Sequence, residues 1–468
     1  MEKMTQNKPF HGVNLGNWLM LEKWMSPEMF DGTDAEDETW LNREASWGTI
    51  PADSFWAKLP LDDPGYQAGQ MTREKLEQRM RYHRETYVQE KDFEWLHDHG
   101  ITHVRIPVPF FIFGDRKPYS GCLEYLDRAF VWAKKWQIQI LIDLHTTCGG
   151  QNGYDNGGIT GVCKWHKNPE EVEFVLHVLE RLAERYAKDS ALYGLEVLNE
   201  PISRLVYLTA PSTGRARDPE EAEESGPVPT VFLKDFYRRA YHRIRRYLPE
   251  SKTIVFHDGF RLNMWGDYFV RHKMKNVCLD THMYVFAMEN FFPVHKPWVY
   301  RTYLAINKQR IRLAQKYTPV IVGEWCVTNE YAFGMRRDFA KGALSGMAAS
   351  PDARQYQIDV PISEGEKRKR FLGLAHAELQ AWEEAEGWFY WNYQLLRDRR
   401  KKKNSAPDAG KDQESMQSTA AGRQSVKEGQ KEIEYVTLTD VYYKEAWDFA
   451  RCMERGWLPS ARDRIGRD

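Results

Sequence analysis

Short apolar runs rich in β-branched and aromatic residues recur along the chain, each followed by a polar loop and then a stretch with apolar residues at helical spacing. The runs HGVNLGNW, THVRIPV, IQILIDLH, LYGLEVLN, KTIVFHD, VCLDTHMY, PVIVGEW and GWFYWNY are eight candidate strands. Strands that alternate with helices pair in parallel, because each parallel neighbour is reached through a long crossover. Eight such units match an α/β fold of the closed (β/α)8 TIM-barrel type, with a doubly wound open sheet as the alternative.

The crossovers carry their own signals. Residues 168–188 open on Asn168-Pro169, a cap followed by a first-turn proline, and continue with Val172, Val175, Leu176, Leu179, Leu182 and Ala183 on one face. Similar stretches run from Val231 to Tyr247, from Val299 to Tyr317 and from Lys367 to Glu386, each just before the next candidate strand. Two segments break the rhythm: 208–229 lacks apolar periodicity and is expected to be an inserted surface loop, and 397–432 is nearly free of large apolar side chains and is expected to be a disordered insertion. The chain is therefore expected to be one domain, 1–468, with both insertions on the catalytic face. The RRKKK run at 399–403 reads as a solvated stretch of loop, and no internal repeat is present.

Composition narrows the function classes. Hydrophobic residues make up 42% and charged residues 28%, so a large core is available and wholesale disorder is excluded. With 66 Lys plus Arg against 67 Asp plus Glu, no global field favours nucleic acid or an anionic membrane. The longest apolar stretch, around IPVPFFIF, falls far short of the roughly 18 residues of a spanning helix. The polar opening MEKMTQNKP has no signal-peptide h-region, so the protein is expected to be cytoplasmic with reduced thiols. Six separated cysteines without a CxxC pair, and histidines without an HxH or HExxH pattern, argue against a metal centre, and no cofactor is expected.

The active site of such a barrel lies at the C-terminal ends of its strands. Here those ends carry Arg105, His145, Asn199, Glu200, His257, His282, Tyr284, Glu324 and Trp391. Glu200 and Glu324 matter most: each closes an apolar run, where water is scarce and a carboxyl pKa can be tuned. They come from candidate strands four and seven, on opposite sides of the mouth, an arrangement that suits two carboxyl groups flanking one glycosidic bond. Asn199 suits a sugar hydroxyl, Arg105 suits keeping Glu324 ionised, and Trp391 suits a flat floor under a pyranose. His257 reads as structural.

These blocks, from GVNLGNWLMLEKWM and YVQEKDFEWLHDHGITHVRIPV through IDLHTTCGGQNGYDNGG, LEVLNEP, DTHMYVF and IVGEW to GWFYWNY and AWDFARCMERGWLP, together resemble glycoside hydrolase family 5, in particular its exo-β-1,3-glucanase branch. The resemblance implies a retaining β-glycosidase with Glu200 as acid/base and Glu324 as nucleophile. It also implies a sugar site of Arg105, His145, Asn199, His282, Tyr284 and Trp391, with Tyr284 hydrogen-bonded to the nucleophile. Glu22, Asp155 and Asn156 match residues that close the branch's pocket around a terminal glucose, implying exo action. Tyr154 keeps one ring of the branch's aromatic clamp at the leaving group, but Ala287 stands where the second is expected. The implied partner is a β-glucoside or short β-glucan; a steryl or lipid β-glucoside, and a noncatalytic carbohydrate-binding barrel, are the alternatives.

Overall fold

Eight parallel strands close into one ring: β1 (Phe10–Asn14), β2 (His103–Val108), β3 (Gln139–Leu144), β4 (Leu192–Glu196), β5 (Thr253–His257), β6 (Val277–His282), β7 (Val320–Trp325) and β8 (Gly387–Tyr390). Each pairs with its neighbours in sequence, and β8 closes onto β1. The fold is therefore the (β/α)8 barrel, not the open sheet. The structure is a computed structural model and describes residues 9–44, 48–50, 54, 56, 69–209, 215–290, 296–337, 355–358, 362–395, 424–428, 431–437 and 444–460.

The two-residue period of a strand sorts its side chains between two environments. On β3, Ile140, Ile142 and Leu144 enter the large core between sheet and helices, whereas Leu141 joins Val255, Cys278, Ile321 and Phe389 in a small cluster inside the ring. Two residues beyond Leu141 and Cys278 the inward column turns acidic, at Asp143 and Asp280, which share the interior with Arg105 and Glu196, all fully buried. The barrel thus has an apolar base with a layer of acidic and basic side chains above it, and the strand ends stand on that layer.

Helices α1 (Glu90–Asp98), α2 (Leu123–Lys135), α3 (Pro169–Tyr186), α4 (Thr230–Ile244), α5 (Tyr268–Arg271), α6 (Pro297–Ala314), α7 (Glu364–Trp382) and α8 (Phe449–Glu454) line the outside. The four crossovers expected from sequence are α3, α4, α6 and α7. In α3, Asn168 accepts from the backbone N–H groups of Glu170 and Glu171, a cap worth about 1 kcal/mol, and Val172, Val175, Leu176, Leu179 and Leu182 are buried. The helices Glu38–Arg43 and Arg73–Tyr87, before β2, were not anticipated. Among the described residues no helix is long and apolar enough to cross a membrane.

The insertions carry more structure than their composition suggests. Of 208–229, residues 210–214 lie outside the described residues. The remainder is pinned to the loop after β3, where the Gly226 N–H donates to the Cys163 carbonyl at 2.9 Å and the Cys163 N–H to Ser225 Oγ at 3.0 Å. Most of 397–432, including the basic run, also lies outside the described residues. Near its end Gln424–Glu428 and Lys431–Thr437 pair antiparallel, in a four-stranded sheet with Gln355–Ile358 and Met335–Arg337. Glu428 pairs with Lys431, and the sequence between them is Gly-Gln, while KEIEYVT sets its Ile between two Glu. That local signal is lost when composition is averaged over the whole insertion.

Candidate active site

Arg105, from β2, organises the mouth of the barrel. Its Nε donates to Glu196 Oε2 at 2.7 Å, its two terminal nitrogens to Glu324 Oε1 at 3.0 Å and Asn199 Oδ1 at 2.9 Å, and Asp143 and Asp280 lie at 3.1 and 3.7 Å. A guanidinium suits this position because its planar fork serves several carboxylates and never loses its charge. Asn14 of β1 completes the set, accepting from Arg105 at 3.1 Å and donating to the Gly323 carbonyl at 2.8 Å.

Glu200 and Glu324 face each other across His282. His282 Nδ1 is 2.7 Å from Glu200 Oε1 and 3.3 Å from Glu324 Oε2, so those two oxygens are no more than about 6 Å apart. The register shift between Thr281 and His282 on the β6–β7 pair turns His282 and Glu324 toward this space. Glu200 is held with φ at +44°, a left-handed conformation that costs a non-glycine residue about 1 kcal/mol and recurs at functional sites.

Charge is unevenly shared. Burial acts to raise the Glu200 carboxyl, but the hydrogen bond and charge of His282, helped by the Asn156 amide at 3.1 Å, outweigh it and hold the group below its ordinary range. Burial pushes Glu324 up, with the Glu200 charge adding to it, against the pull of His282 and Arg105. His282 would be lowered by burial, yet Glu324, Asp280 and Glu200 raise it well above 6.5, so it is an imidazolium between two carboxyl groups. Tyr284 donates its hydroxyl to Glu324 Oε2 at 2.7 Å.

The other residues singled out from sequence surround this pair. His145 is fixed by Asp143 at 2.5 Å, meets the Asn199 amide at 3.3 Å, and stacks on Trp391 with ring centroids 5.6 Å apart. Trp391 can lie flat only because residue 16 is glycine: a Cβ there would come within 2.6 Å of the indole. Asn152 accepts from the Tyr154 N–H and donates to Asn156, which ties the Tyr154-Asp155-Asn156 turn together beside Glu200. Tyr154 is raised by burial and by the Glu200 charge. Glu22, buried, accepts from Trp24 Nε1 at 2.8 Å, and burial and the nearby Asp155 charge push it well above the ordinary carboxyl range.

Several residues of the basin were missed. Asp143, Glu196 and Asp280 orient Arg105, His145 and His282, and each was legible as an acidic residue at an inward position of an otherwise apolar strand. Trp447 packs against Trp24, Tyr284 and Phe286 at 5.2, 5.4 and 5.3 Å. This aromatic wall beside Ala287 carries no periodic signal, since its members come from three loops. His257 is buried, with its ring edge-on to His282 at 4.4 Å. Two trios, Glu200–His257–His282 and Glu196–Asp280–His282, are close enough to hold a metal ion, but His282 belongs to both and is already spanned by carboxyl groups.

The cellulase model of glycosyl hydrolase family 5 matches residues 65–352. The chain is 30% identical over 409 residues to the probable glucan 1,3-β-glucosidase A of Emericella nidulans, covering 83% of this chain and 86% of that one. It is 27% identical over 407 residues to the glucan 1,3-β-glucosidase of Schwanniomyces occidentalis, covering 83% of each. Among solved structures it superposes on AoRut with a TM-score of 0.60 at 18% identity, over 97% of both chains. On the rutinosidase from Aspergillus niger the TM-score is 0.53 at 20% identity, over 84% of this chain and 91% of that one. At those identities the structural likeness is one of fold.

Proposed function

The chain belongs to glycosyl hydrolase family 5, and from that premise we propose a retaining, exo-acting β-glucosidase that releases terminal glucose from short β-1,3-linked glucans or related β-glucosides. The observation that carries this reading is the single imidazole in contact with both carboxyl groups, which brings their nearest oxygens within about 6 Å and supports the closer, retaining arrangement. Glu324, held by Arg105 and Tyr284, attacks the anomeric carbon and expels the leaving oxygen. Glu200 protonates that oxygen, then takes a proton from the water that hydrolyses the glycosyl-enzyme. Glu200 is the lower of the two carboxyl groups, the reverse of what an acid needs, and His282 resolves this: a shift of its proton along the 2.7 Å bond makes Glu200 the acid and leaves His282 neutral. Once Glu324 is esterified its charge is gone, which favours the ionised Glu200 required for the second step.

Glu22, Asp155 and Asn156 bind the hydroxyls at the non-reducing end, with Trp391 as floor. Trp447 and Phe286 replace the missing clamp ring and receive the leaving group. Six cysteines, all free and five of them buried, support a reducing, cytoplasmic setting. Proton NMR with laminaribiose, gentiobiose, cellobiose and an aryl β-glucoside tests the reading: β-glucose as the first product is expected. α-Glucose as the first sugar released from the aryl β-glucoside would refute retention, and a mixture of internal oligosaccharides as the first products of long glucans, in place of glucose, would refute exo action. Glu324→Gln is expected to abolish turnover of every substrate, whereas Glu200→Gln retains glycosylation by activated aryl glucosides; equal loss on both substrate types would overturn the role given to Glu200.

A further inference from the structure

Beneath the catalytic pair three buried polar atoms lack a well-formed hydrogen bond: Glu196 Oε1, Asp280 Oδ2 and His282 Nε2, the last two facing each other only as a long ion pair. One polar atom from each of the three residues lies within 4.8 Å of the other two, and His282 Nε2 is 3.5 Å from Asp280 Oδ2. Two carboxyl groups this close, buried and shielded from water, do not both ionise. A cation between them would crowd Arg105, whose Nε already stands 2.7 Å from Glu196 and 3.7 Å from Asp280. A proton on Glu196 gives Asp280 Oδ2 a donor and removes one of the two adjacent charges, while the Nε2–H of His282 faces the same oxygen at 3.5 Å.

The partners decide which carboxyl holds it. Asp280 Oδ1 accepts the Gly323 N–H at 2.6 Å, in a space so tight that a Cβ on Gly323 would collide with the carboxylate, and Oδ2 faces the His282 and Arg105 donors. Glu196 has its Oε2 on Arg105 and meets no donor at Oε1. The charged and titratable groups around it are Arg105 from β2, Asp143 and His145 from β3, Glu200 after β4, His257 and Asp258 at β5, Cys278, Asp280, His282 and Tyr284 from β6, Glu324 from β7, and Tyr237 from α4. One guanidinium and one imidazolium stand among six carboxyl groups, Asp143, Glu196, Glu200, Asp258, Asp280 and Glu324. Burial raises Glu196 well above its ordinary range despite Arg105, whereas at Asp280 the His282 charge overcomes burial and lowers it.

We propose that Glu196 is a positioning residue: it keeps a proton at neutral pH, donates it from Oε1 to Asp280 Oδ2, and so leaves Asp280 the charge that holds His282 as the cation feeding a proton to Glu200. The catalytic part of this rests on the proposed double displacement; the proton itself does not. Glu196→Gln imitates the protonated side chain and Glu196→Leu removes its donor, so the pair is read in two assays. In the pH profile of kcat/KM on whichever β-glucoside the wild type hydrolyses, Glu196→Leu is expected to lose about 10- to 100-fold, the scale of one hydrogen bond to a charged group, and to move the profile. Glu196→Gln is expected to restore the wild-type profile. A profile displaced by a unit or more in Glu196→Gln would mean that the exchange removed a charge, and would overturn the proposal.

Melting temperature against pH needs no substrate. A carboxyl that stays protonated in the native state and ionises in the unfolded one makes the wild type lose stability as pH rises, so Glu196→Gln is expected to gain on the wild type between pH 5 and 8. A variant that falls behind over that range, or that fails to fold, would overturn the proposal, because a side chain already neutral loses no charge on becoming an amide. A wild type inactive on all β-glucosides would sink the double-displacement reading while the melting curves still decide the protonation of Glu196.

Discussion

Arg105→Met keeps a long side chain in place and deletes the charge that four buried carboxyl groups share, Asp143, Glu196, Asp280 and Glu324, at 3.1, 2.7, 3.7 and 3.0 Å. Removing one partner of a buried ion pair costs about 3–5 kcal/mol, because the charges left behind are neither solvated nor paired. An unfolding entropy of about 2.1 cal/mol/K per residue, over a chain of this length, comes to about 1 kcal/mol/K, so the melting temperature should fall by about 3–5 °C at pH 7. The deficit should depend on pH with a definite sign. Arg105 lowers the carboxyl groups of Glu196, Asp280 and Glu324; without it they hold protons to higher pH, and the native variant binds more protons than the native wild type. Stability then falls relative to wild type as pH rises, so the deficit should be smaller at pH 5 than at pH 8. Scanning calorimetry at both values is the assay. A variant within 1 °C of wild type at both, or a deficit that shrinks toward pH 8, would refute the view that this layer is held by one shared cation.

Tyr284→Phe deletes the 2.7 Å hydrogen bond to Glu324; bonds to charged groups contribute about 1.5–3 kcal/mol, so kcat/KM should drop about 10- to 100-fold with little change in melting temperature. Trp447→Ala removes contacts to Trp24, Tyr284 and Phe286; a loss of about 1–2 kcal/mol should raise KM for an aryl β-glucoside roughly 5- to 30-fold while kcat stays nearly constant, and an unchanged KM would remove this wall from the leaving-group site. Glu38, pushed up to about 7 by burial, accepts the Leu21 N–H. Its native state keeps a proton that the unfolded chain releases above the ordinary carboxyl range, so wild-type stability falls as pH rises toward 7. Glu38→Gln should therefore match the wild type near pH 4.5 and exceed it by up to about 3 kcal/mol at pH 8, measured by denaturant titration.

The barrel was legible because each strand is a short apolar run with its own crossover, and hydrophobic periodicity records that arrangement directly. α3 shows how far this reaches: cap, first-turn proline and apolar face all lie within one stretch of sequence, and the helix begins at Pro169 as they require. The region between β1 and β2 was opaque for the opposite reason. Its helix Arg73–Tyr87 buries Arg79, His83 and Arg84 beside Leu76 and Met80, so the buried face is partly charged and has no clean apolar stripe. Arg79 and Arg84 donate to backbone carbonyls of distant loops, at Asp31 and Gly121, and those partners exist only in the folded chain.

The same reasoning separates the legible part of the site from the rest. A strand that ends in Glu or His announces itself, since a polar residue closing an apolar run needs an explanation. Asp143 and Asp280 stand two residues before His145 and His282, on the same inward face, and there they set the orientation and charge of the groups above them. Strand periodicity carries that second tier as well: an acidic residue inside an apolar run, two positions before a polar strand end, marks the support of a catalytic group rather than a break in the strand. Trp24, Phe286 and Trp447 obey no such rule. They meet because three strand ends converge around one barrel axis, and a convergence of loops is a property of closure, which no single stretch of sequence records.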